Sequence, residues 1–145
     1  MNQHLRTMQV DFSNETTLRV RYGETDQMGY SYYGNYAQYF EVGRVEAMRE
    51  IGMSYKNLEA HGVMLPVSEL HVNYKLPAKY DDALNIETRI VEMKGARLSF
   101  DYIIRNEENA IVATGSTILV FVSKETMRPI QPPKVFTDLI EKYYV

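Results

Sequence analysis

The segment RYGETDQMGYSYYGNYAQYFE runs from Arg21 to Glu41 and decides the fold of this 145-residue chain. It contains three glycines and six of the twelve tyrosines, and Asp26 lies in its loop-like first half. From the second half onward, through VGRVEAMREIG, apolar residues recur at helical spacing. Asn35 is the expected N-cap, and Gly52 is the expected glycine after the last turn. The segment therefore predicts a loop that carries a carboxylate and leads directly into a long helix.

The predicted helix has an unusually wide apolar surface, which indicates that it is covered over much of its girth. Gly43 lies in the middle of this helix, where glycine costs about 1 kcal/mol relative to alanine. We therefore expect a strand to approach the helix backbone closely at Gly43. The residues of the apolar surface are Tyr36, Tyr39, Phe40, Gly43, Ala47 and Ile51, widened by Val42, Val45 and Met48.

Segments on both sides of the helix alternate between apolar and polar residues, as strands do. TTLRVRY precedes the helix, and SELHVNYKL, ALNIETRIVEM, RLSFDYIIR and AIVATGSTILVFV follow it. The connections MKGA and NEEN are short enough for hairpins, so these strand pairs should be antiparallel. One long helix with about five strands predicts an α+β fold, in which one antiparallel β-sheet wraps around a long central helix.

Length and composition bound the remaining possibilities. A chain of this length fits one domain, residues 1–145, and its polar residues 1–14 are expected to form a loose N-terminal arm. The net charge of −3 argues against a nucleic-acid binder. The absence of cysteine excludes disulfides, thiolate metal sites and a cysteine nucleophile.

The sequence predicts neither a membrane helix nor a metal site. No apolar run approaches the roughly 20 residues that a membrane helix needs. The first residues show no signal peptide, so the cytoplasm is the expected location. The three histidines, His4, His61 and His71, have no metal-ligand spacing. We expect no metal and no cofactor.

The order of elements and the motif before the helix resemble the 4-hydroxybenzoyl-CoA thioesterase family, including its Tol–Pal-associated branch, from Thr17 to about Phe121. These are acyl-CoA thioesterases with the hot-dog fold. The resemblance implies hydrolysis of an acyl-CoA thioester to a free carboxylic acid and CoA. The motif residues are Asp26, Gly29, Tyr32, Asn35, Tyr36, Phe40 and Glu41.

The chemistry of thioester hydrolysis suits this motif. In a chain without cysteine, a metal cluster or a serine elbow, a carboxylate is the natural nucleophile or general base, and Asp26 is placed for either role. The start of a helix offers free N–H groups and a positive dipole end to a thioester oxygen. The resemblance places the donor near Tyr33 or Gly34, and a glycine allows close approach of a ligand. Tyr33 stands where the family commonly has histidine, and a phenol of pKa near 10 is a poor base.

Further residues are candidates for binding the substrate. Tyr30, Tyr32 and Tyr33 are expected to line the cleft, and Asn35 of the motif is a further candidate for binding the substrate. The resemblance also places the turn containing Lys94, Arg97 and Ser99 near the CoA phosphates and pantetheine arm. Arginine and lysine suit phosphate, although a solvated hairpin turn explains these three residues equally well.

Two other functions are compatible with the sequence. One is a non-catalytic hot-dog module that binds acyl-CoA or acyl carrier protein. The other, weaker one is a dehydratase, which needs a histidine base that the Asp26 segment lacks. A single sheet around one helix leaves an edge unpaired, so a homodimer or homotetramer is expected. The resemblance implies that each site lies at the seam between two chains. The acyl group and the thiol carrier are not readable from the residues.

Overall fold

The computed structural model describes residues 6–145. Most of this length consists of long antiparallel strands and one long helix. In chain order the elements are β1 (Thr7–Arg19), α1 (Tyr36–Ile51), α2 (Tyr55–Ala60), β2 (Val63–Met64), β3 (Val67–Tyr74), β4 (Ala83–Lys94), β5 (Arg97–Arg105), β6 (Ile111–Val120), β7 (Val122–Ser123) and α3 (Lys134–Ile140). Short 3₁₀ turns span Tyr22–Glu24, Tyr33–Asn35 and Glu141–Tyr143.

The five long strands form one antiparallel sheet in the order β1-β4-β5-β6-β3. Strands β4 and β5 are joined by a tight turn at Gly95, whose φ of 59° is easy for glycine. Strands β2 and β7 form a separate two-stranded ribbon. Helix α1 packs on the sheet, mainly against β1 and β4. The predicted five-stranded sheet around a long helix, with antiparallel hairpins, is confirmed.

The predicted loose arm is wrong for the residues that the structure describes. Strand β1 begins at Thr7, which pairs with Lys94, and the two strands stay paired to the end of β1. Val10 and Phe12 are buried, while the residues between and beside them are exposed, so this polar stretch carries a short period-2 pattern. Two isolated apolar side chains gave too weak a signal to predict the strand. Residues 1–5 of the predicted arm lie outside the described part.

Helix α1 ends as predicted. Gly52 adopts the left-handed conformation, with φ of 107°, and its N–H closes the last turn. Asn35 precedes the helix but its side chain does not cap it; the Asn35 amide instead donates to the carbonyl of Glu24. The face of α1 that is buried carries Tyr36, Tyr39, Phe40, Gly43, Arg44, Ala47, Met48 and Ile51.

The close approach predicted at Gly43 is confirmed. A Cβ atom at this position would lie 2.8 Å from Cγ2 of Ile86 and closer still to Oγ1 of Thr88. Both residues belong to β4, so the helix backbone rests directly on this strand. The free energy that glycine costs in the helix is offset by this close packing.

The two edges of the sheet differ. Along the outer edge of β1, Val10 forms a bridge with Tyr144, and Val145 donates to the carbonyl of Gln9. Strand β3 pairs only with β6, and no other strand within residues 6–145 covers its outer edge. Its side chains are mostly exposed, including Leu70. No helix in the described part of the chain is long and apolar enough to span a membrane.

Candidate functional site

Asp26 lies at the start of a narrow turn between β1 and α1. Thr25 and Ser31 pair as an antiparallel bridge and close the turn. Within it, the N–H of Asp26 donates to the carbonyl of Tyr30 at 2.8 Å, and the N–H of Gly29 donates to the carbonyl of Asp26 at 3.0 Å. Gly29 has a φ of 80°, which glycine adopts without strain. The turn is therefore a hydrogen-bonded unit that fixes the backbone of Asp26.

The Asp26 carboxylate is partly buried and asymmetrically bonded. Its Oδ1 accepts the backbone N–H groups of Met28 at 2.9 Å and Tyr30 at 3.2 Å. Within the part of the chain that the structure describes, Oδ2 has no hydrogen-bond partner. One oxygen therefore orients the carboxylate, and the other remains available to a substrate or a water molecule.

The chain enters α1 through the 3₁₀ turn Tyr33–Asn35. The N–H of Asn35 donates to the carbonyl of Tyr32, and that of Tyr36 to the carbonyl of Tyr33. The N–H groups of Tyr33 and Gly34 have no acceptor among residues 6–145. They lie at the positive end of a 16-residue helix. The geometry thus supplies two free donors a few residues after Asp26.

Gly34 has a structural reason to be glycine. A Cβ atom there would lie 2.7 Å from Cε2 of Tyr32, so the ring of Tyr32 covers this position. The close packing of the Tyr32 ring explains why a glycine stands at position 34 in the protomer. A close approach of a ligand at Gly34 stays a prediction.

Tyr33 is largely exposed, at 63% of its surface. Its ring centroid is 4.5 Å from that of Tyr32 and 6.3 Å from that of Tyr74, whose hydroxyl donates to the Tyr33 carbonyl at 2.9 Å. A hydrogen bond to Tyr33 raises the pKa of Tyr32. Tyr30, by contrast, forms a backbone bridge with Lys79. Tyr32 and Tyr33 therefore form an aromatic rim beside the helix start.

The structure also reveals a carboxylate to which sequence reasoning gave no role. Glu24 lies just before the turn, and its Oε1 accepts the hydroxyl of Tyr39 at 3.0 Å. The hydroxyls of Tyr39 and Ser31 are 2.7 Å apart. Tyr39 packs in the core as predicted, but its hydroxyl has a polar partner on each side of the loop. No periodic pattern marks Glu24, because it lies in a short 3₁₀ turn.

The predicted CoA-binding residues lie at the other end of the sheet. Asp26 follows the end of β1, which pairs with Ala83, whereas Lys94 is the last residue of β4. At ~3.3 Å per residue, β4 covers about 36 Å between its ends. Lys94, Arg97 and Ser99 are therefore not brought together with Asp26 in one protomer. Arg97 pairs with Glu69 through a 2.7 Å contact in which both side chains are about half exposed.

Residues 20–140 match the family model described as the thioesterase-like superfamily. The chain belongs to this family. It is 35% identical over 117 residues to the acyl-CoA thioester hydrolase YbgC of Escherichia coli O6:H1, covering 81% of this chain and 87% of that protein. It is 33% identical over 119 residues to the acyl-CoA thioesterase YbgC of Haemophilus influenzae, with coverage of 81% and 86%.

A solved structure supports the same grouping. The DHNA-CoA thioesterase from Staphylococcus aureus superposes with a TM-score of 0.83 at 36% identity, covering 88% of this chain and 85% of that one. The hot-dog fold and the family resemblance predicted from the Asp26 motif are therefore confirmed. The matched region includes both the Asp26 loop and the β4–β5 hairpin.

Proposed function

We propose that this protein hydrolyses acyl-CoA thioesters to free carboxylic acid and CoA, with Asp26 as the reacting carboxylate. The observation that carries the proposal is the geometry of Asp26: Oδ1 accepts two backbone N–H groups, while Oδ2 has no hydrogen-bond partner among residues 6–145. Two relatives that are one-third identical carry the names acyl-CoA thioester hydrolase and acyl-CoA thioesterase, which supports the reaction class.

Asp26 has two routes to the product. In one, Oδ2 attacks the thioester carbon, the CoA thiolate leaves and takes up a proton, and water hydrolyses the acyl-aspartyl anhydride. In the other, Oδ2 removes a proton from a water molecule, which attacks the same carbon, and the CoA thiolate leaves and takes up that proton. In both, negative charge develops on the thioester oxygen. The free N–H groups of Tyr33 and Gly34 would stabilise it.

The open edge of β3 supports a homodimer. When a two-fold axis lies perpendicular to the sheet at this edge, β3 pairs antiparallel with its copy and the sheet continues across both chains. The Val67 end of one β3 then faces the Tyr74 end of the other. Tyr74 contacts Tyr33 beside the Asp26 site, whereas the Arg97–Glu69 pair lies near the Val67 end.

This arrangement would place the CoA-binding residues of one chain near the reacting carboxylate of the other. The partner's Lys94, Arg97 and Ser99 would then bind the CoA whose thioester reaches Asp26. Tyr30, Tyr32 and Asn35 would line the acyl end of the cleft. Association of two such dimers into a tetramer and a cytoplasmic location stay predictions.

Thiol release from a panel of acyl-CoAs with aryl and alkyl chains tests the reaction. We expect release with at least one acyl group, and the chain-length profile then names the substrate class. A folded protein that binds acyl-CoA but releases no thiol from any member of the panel would contradict hydrolysis and favour a non-catalytic binding module.

Mixed dimers test the shared site. Asp26→Asn is co-expressed with a Lys94→Ala/Arg97→Ala chain, and the heterodimer is purified through two different tags. If the CoA contacts come from the partner, one of the two sites is wild type, and about half of the wild-type kcat returns at the wild-type KM. If they come from the same chain, the heterodimer has no wild-type site and activity does not return.

A further inference from the structure

We propose that Glu24 is a positioning residue, which together with Tyr39 and Ser31 clamps the Asp26 turn against helix α1. The proposal rests on the proposed role of Asp26. Glu24 does not touch the substrate in this scheme. It acts by fixing the direction in which Oδ2 of Asp26 points.

Glu24 collects hydrogen bonds from three neighbouring parts of the chain. Its side chain accepts the N–H of Arg21 at 2.9 Å and the hydroxyl of Tyr39 at 3.0 Å, and it pairs with the Arg21 guanidinium at 3.1 Å. Its carbonyl accepts the N–H of Tyr32 at 2.8 Å and the side-chain amide of Asn35 at 2.7 Å. Glu24 therefore joins the end of β1, the Asp26 turn and the start of α1.

The hydroxyl of Tyr39 extends the clamp to the other limb of the turn. Because its single proton is donated to Glu24, it accepts from the hydroxyl of Ser31 at 2.7 Å. Ser31 is buried and its N–H donates to the carbonyl of Ala78 at 2.7 Å. Glu24 holds the entering limb and Ser31 the leaving limb, and both are bonded to one helix residue.

The side-chain bonds of Asp26 cannot replace this clamp. Among the described residues, Oδ1 of Asp26 is bonded only within the turn, to Met28 and Tyr30. These bonds fix the shape of the turn but not its orientation relative to the helix start. That orientation decides whether Oδ2 and the free N–H groups of Tyr33 and Gly34 can act on the same thioester. An error of about 1 Å in such an arrangement can cost about 100-fold in rate.

The protonation states favour a clamp over a proton relay. Burial opposes the charge on Glu24, but hydrogen bonds from the Arg21 N–H, Tyr39 and the Arg21 side chain lower its pKa below the ordinary value. Burial raises the pKa of Tyr39 far above that of a free phenol, and the nearby Glu24 carboxylate adds to the effect against the opposing bond from Ser31. The proton therefore stays on Tyr39, and Glu24 stays ionised at neutral pH.

The chain offers matched controls for each half of the clamp. Glu46 forms an i, i+3 ion pair with Arg49 on the exposed face of α1, the same spacing as the Arg21–Glu24 pair. Tyr102 is a buried tyrosine whose hydroxyl is 2.6 Å from that of Thr117, away from the Asp26 turn. Glu46→Ala and Tyr102→Phe remove a comparable ion pair and a comparable buried hydroxyl without touching the loop.

The experiment measures kcat and KM per folded dimer for Glu24→Ala, Glu24→Gln, Tyr39→Phe and the Glu24→Ala/Tyr39→Phe double variant. We expect kcat to fall about 10- to 100-fold in Glu24→Ala while KM changes less than about twofold. Glu24→Gln keeps an oxygen acceptor for Tyr39 and the Arg21 N–H, so it should recover much of the lost kcat. The double variant should lose less than the product of the single losses. Both controls should keep the wild-type kcat.

Asp26→Asn in the same assay distinguishes a failure of the proposed clamp from a failure of the proposed role of Asp26. If Asp26→Asn is inactive while Glu24→Ala and Tyr39→Phe turn over at the wild-type kcat per folded dimer, the clamp is wrong and the role of Asp26 stands. If Asp26→Asn retains activity, the proposed role of Asp26 fails and the clamp fails with it. Should Glu24→Ala not fold, Glu24→Gln and Tyr39→Phe still decide the outcome.

Discussion

Helix α1 carries two networks of buried polar side chains, one around Tyr39 and one around Arg44, and their partners differ in kind. Tyr39 bonds to Glu24 and Ser31, both in the segment around the Asp26 turn. Arg44 bonds to the hydroxyls of Tyr55 at 3.0 Å and Tyr102 at 3.2 Å, in α2 and β5. The first network ends on a loop, whereas the second connects regular elements.

The Arg44 network places a positive charge in the core without a negative one. Arg44 is only 6% exposed, and none of the ion pairs within residues 6–145 includes it. Burial opposes its charge, but Tyr102 and Tyr55 outweigh burial and raise the pKa of Arg44. Hydroxyl dipoles therefore stabilise the guanidinium. Such a network contributes to the stability of the fold, whereas the Tyr39 network holds the turn that carries Asp26, the proposed reacting carboxylate.

Asp26→Asn should show the largest effect, and it should lower the activity without lowering the stability of the fold. The amide keeps an oxygen that can accept the N–H groups of Met28 and Tyr30, so the turn should stay folded. Because the amide is neither a base nor a nucleophile, kcat should fall about 10²- to 10⁴-fold. Thiol release and thermal denaturation measure the two effects. Asp138→Asn, on the exposed face of helix α3, is the control. Equal turnover by Asp26→Asn and wild type would exclude Asp26 from the reaction.

Arg44→Ala should lower the stability of the fold without lowering the activity. It leaves the hydroxyls of Tyr55 and Tyr102 without their donor and opens a cavity, which together should cost about 3 kcal/mol of unfolding free energy. Urea denaturation measures the loss, and kcat per folded chain should stay within about twofold of wild type. Arg49→Ala, on the exposed face of the same helix, should cost less than about 0.5 kcal/mol. A large fall in kcat for Arg44→Ala would show that the two networks are not separate.

Gly43→Ala tests the helix segment between the networks. Alanine is the better helix former by about 1 kcal/mol. However, its methyl group would overlap Ile86 and Thr88 of β4, and overpacking of this kind costs about 1–3 kcal/mol. We expect net destabilisation in urea. Gly23→Ala is the control, since no described atom beyond its two chain neighbours lies within 4 Å of the added methyl group. Stabilisation of Gly43→Ala would mean that helix and strand separate easily.

Tyr33→Phe should have a smaller effect on the rate. The ring is largely exposed and keeps its ring contacts with Tyr32 and Tyr74, while the hydrogen bond between the Tyr33 and Tyr32 side chains is lost. We expect kcat to fall no more than about fivefold, since an exposed neutral hydrogen bond contributes about 0.5–1 kcal/mol. A fall beyond tenfold would assign the Tyr33 hydroxyl the role of the family's histidine. Activity gained in Tyr33→His would show that the site still accepts the histidine.

The smallest effect concerns pH. The pKa of Glu24 is lower in the folded protein than its ordinary value of 4.5. The ionised carboxylate therefore stabilises the folded state above that ordinary pKa, and the contribution is lost as the pH falls through the lower, folded pKa. The stability difference between wild type and Glu24→Gln should be largest near neutral pH and should shrink toward pH 3. A stability difference that grows on acidification would contradict a lowered pKa of Glu24 in the folded protein.

Periodic signals in the sequence predicted much of the fold because they reflect local geometry. The apolar positions of α1 repeat at helical spacing, and the structure buries seven of the nine predicted residues, all but Val42 and Val45. Gly43 and Gly52 could be interpreted because each has a backbone or packing requirement that no larger residue meets. The start of β1 was missed because its only buried apolar residues in the first half are Val10 and Phe12.

The sequence by itself determined a helix of the observed length, five strand segments and a loop carboxylate before the helix, because each depends on residues close together in the chain. Only the tertiary structure decided which groups hold that loop. Glu24 and Tyr39 are fifteen residues apart and meet because α1 packs across the end of β1. The tertiary structure also places Lys94 far from Asp26, since the register of β1 against β4 sets this distance. Pairing over long separations depends on the whole fold, and no local pattern encodes it.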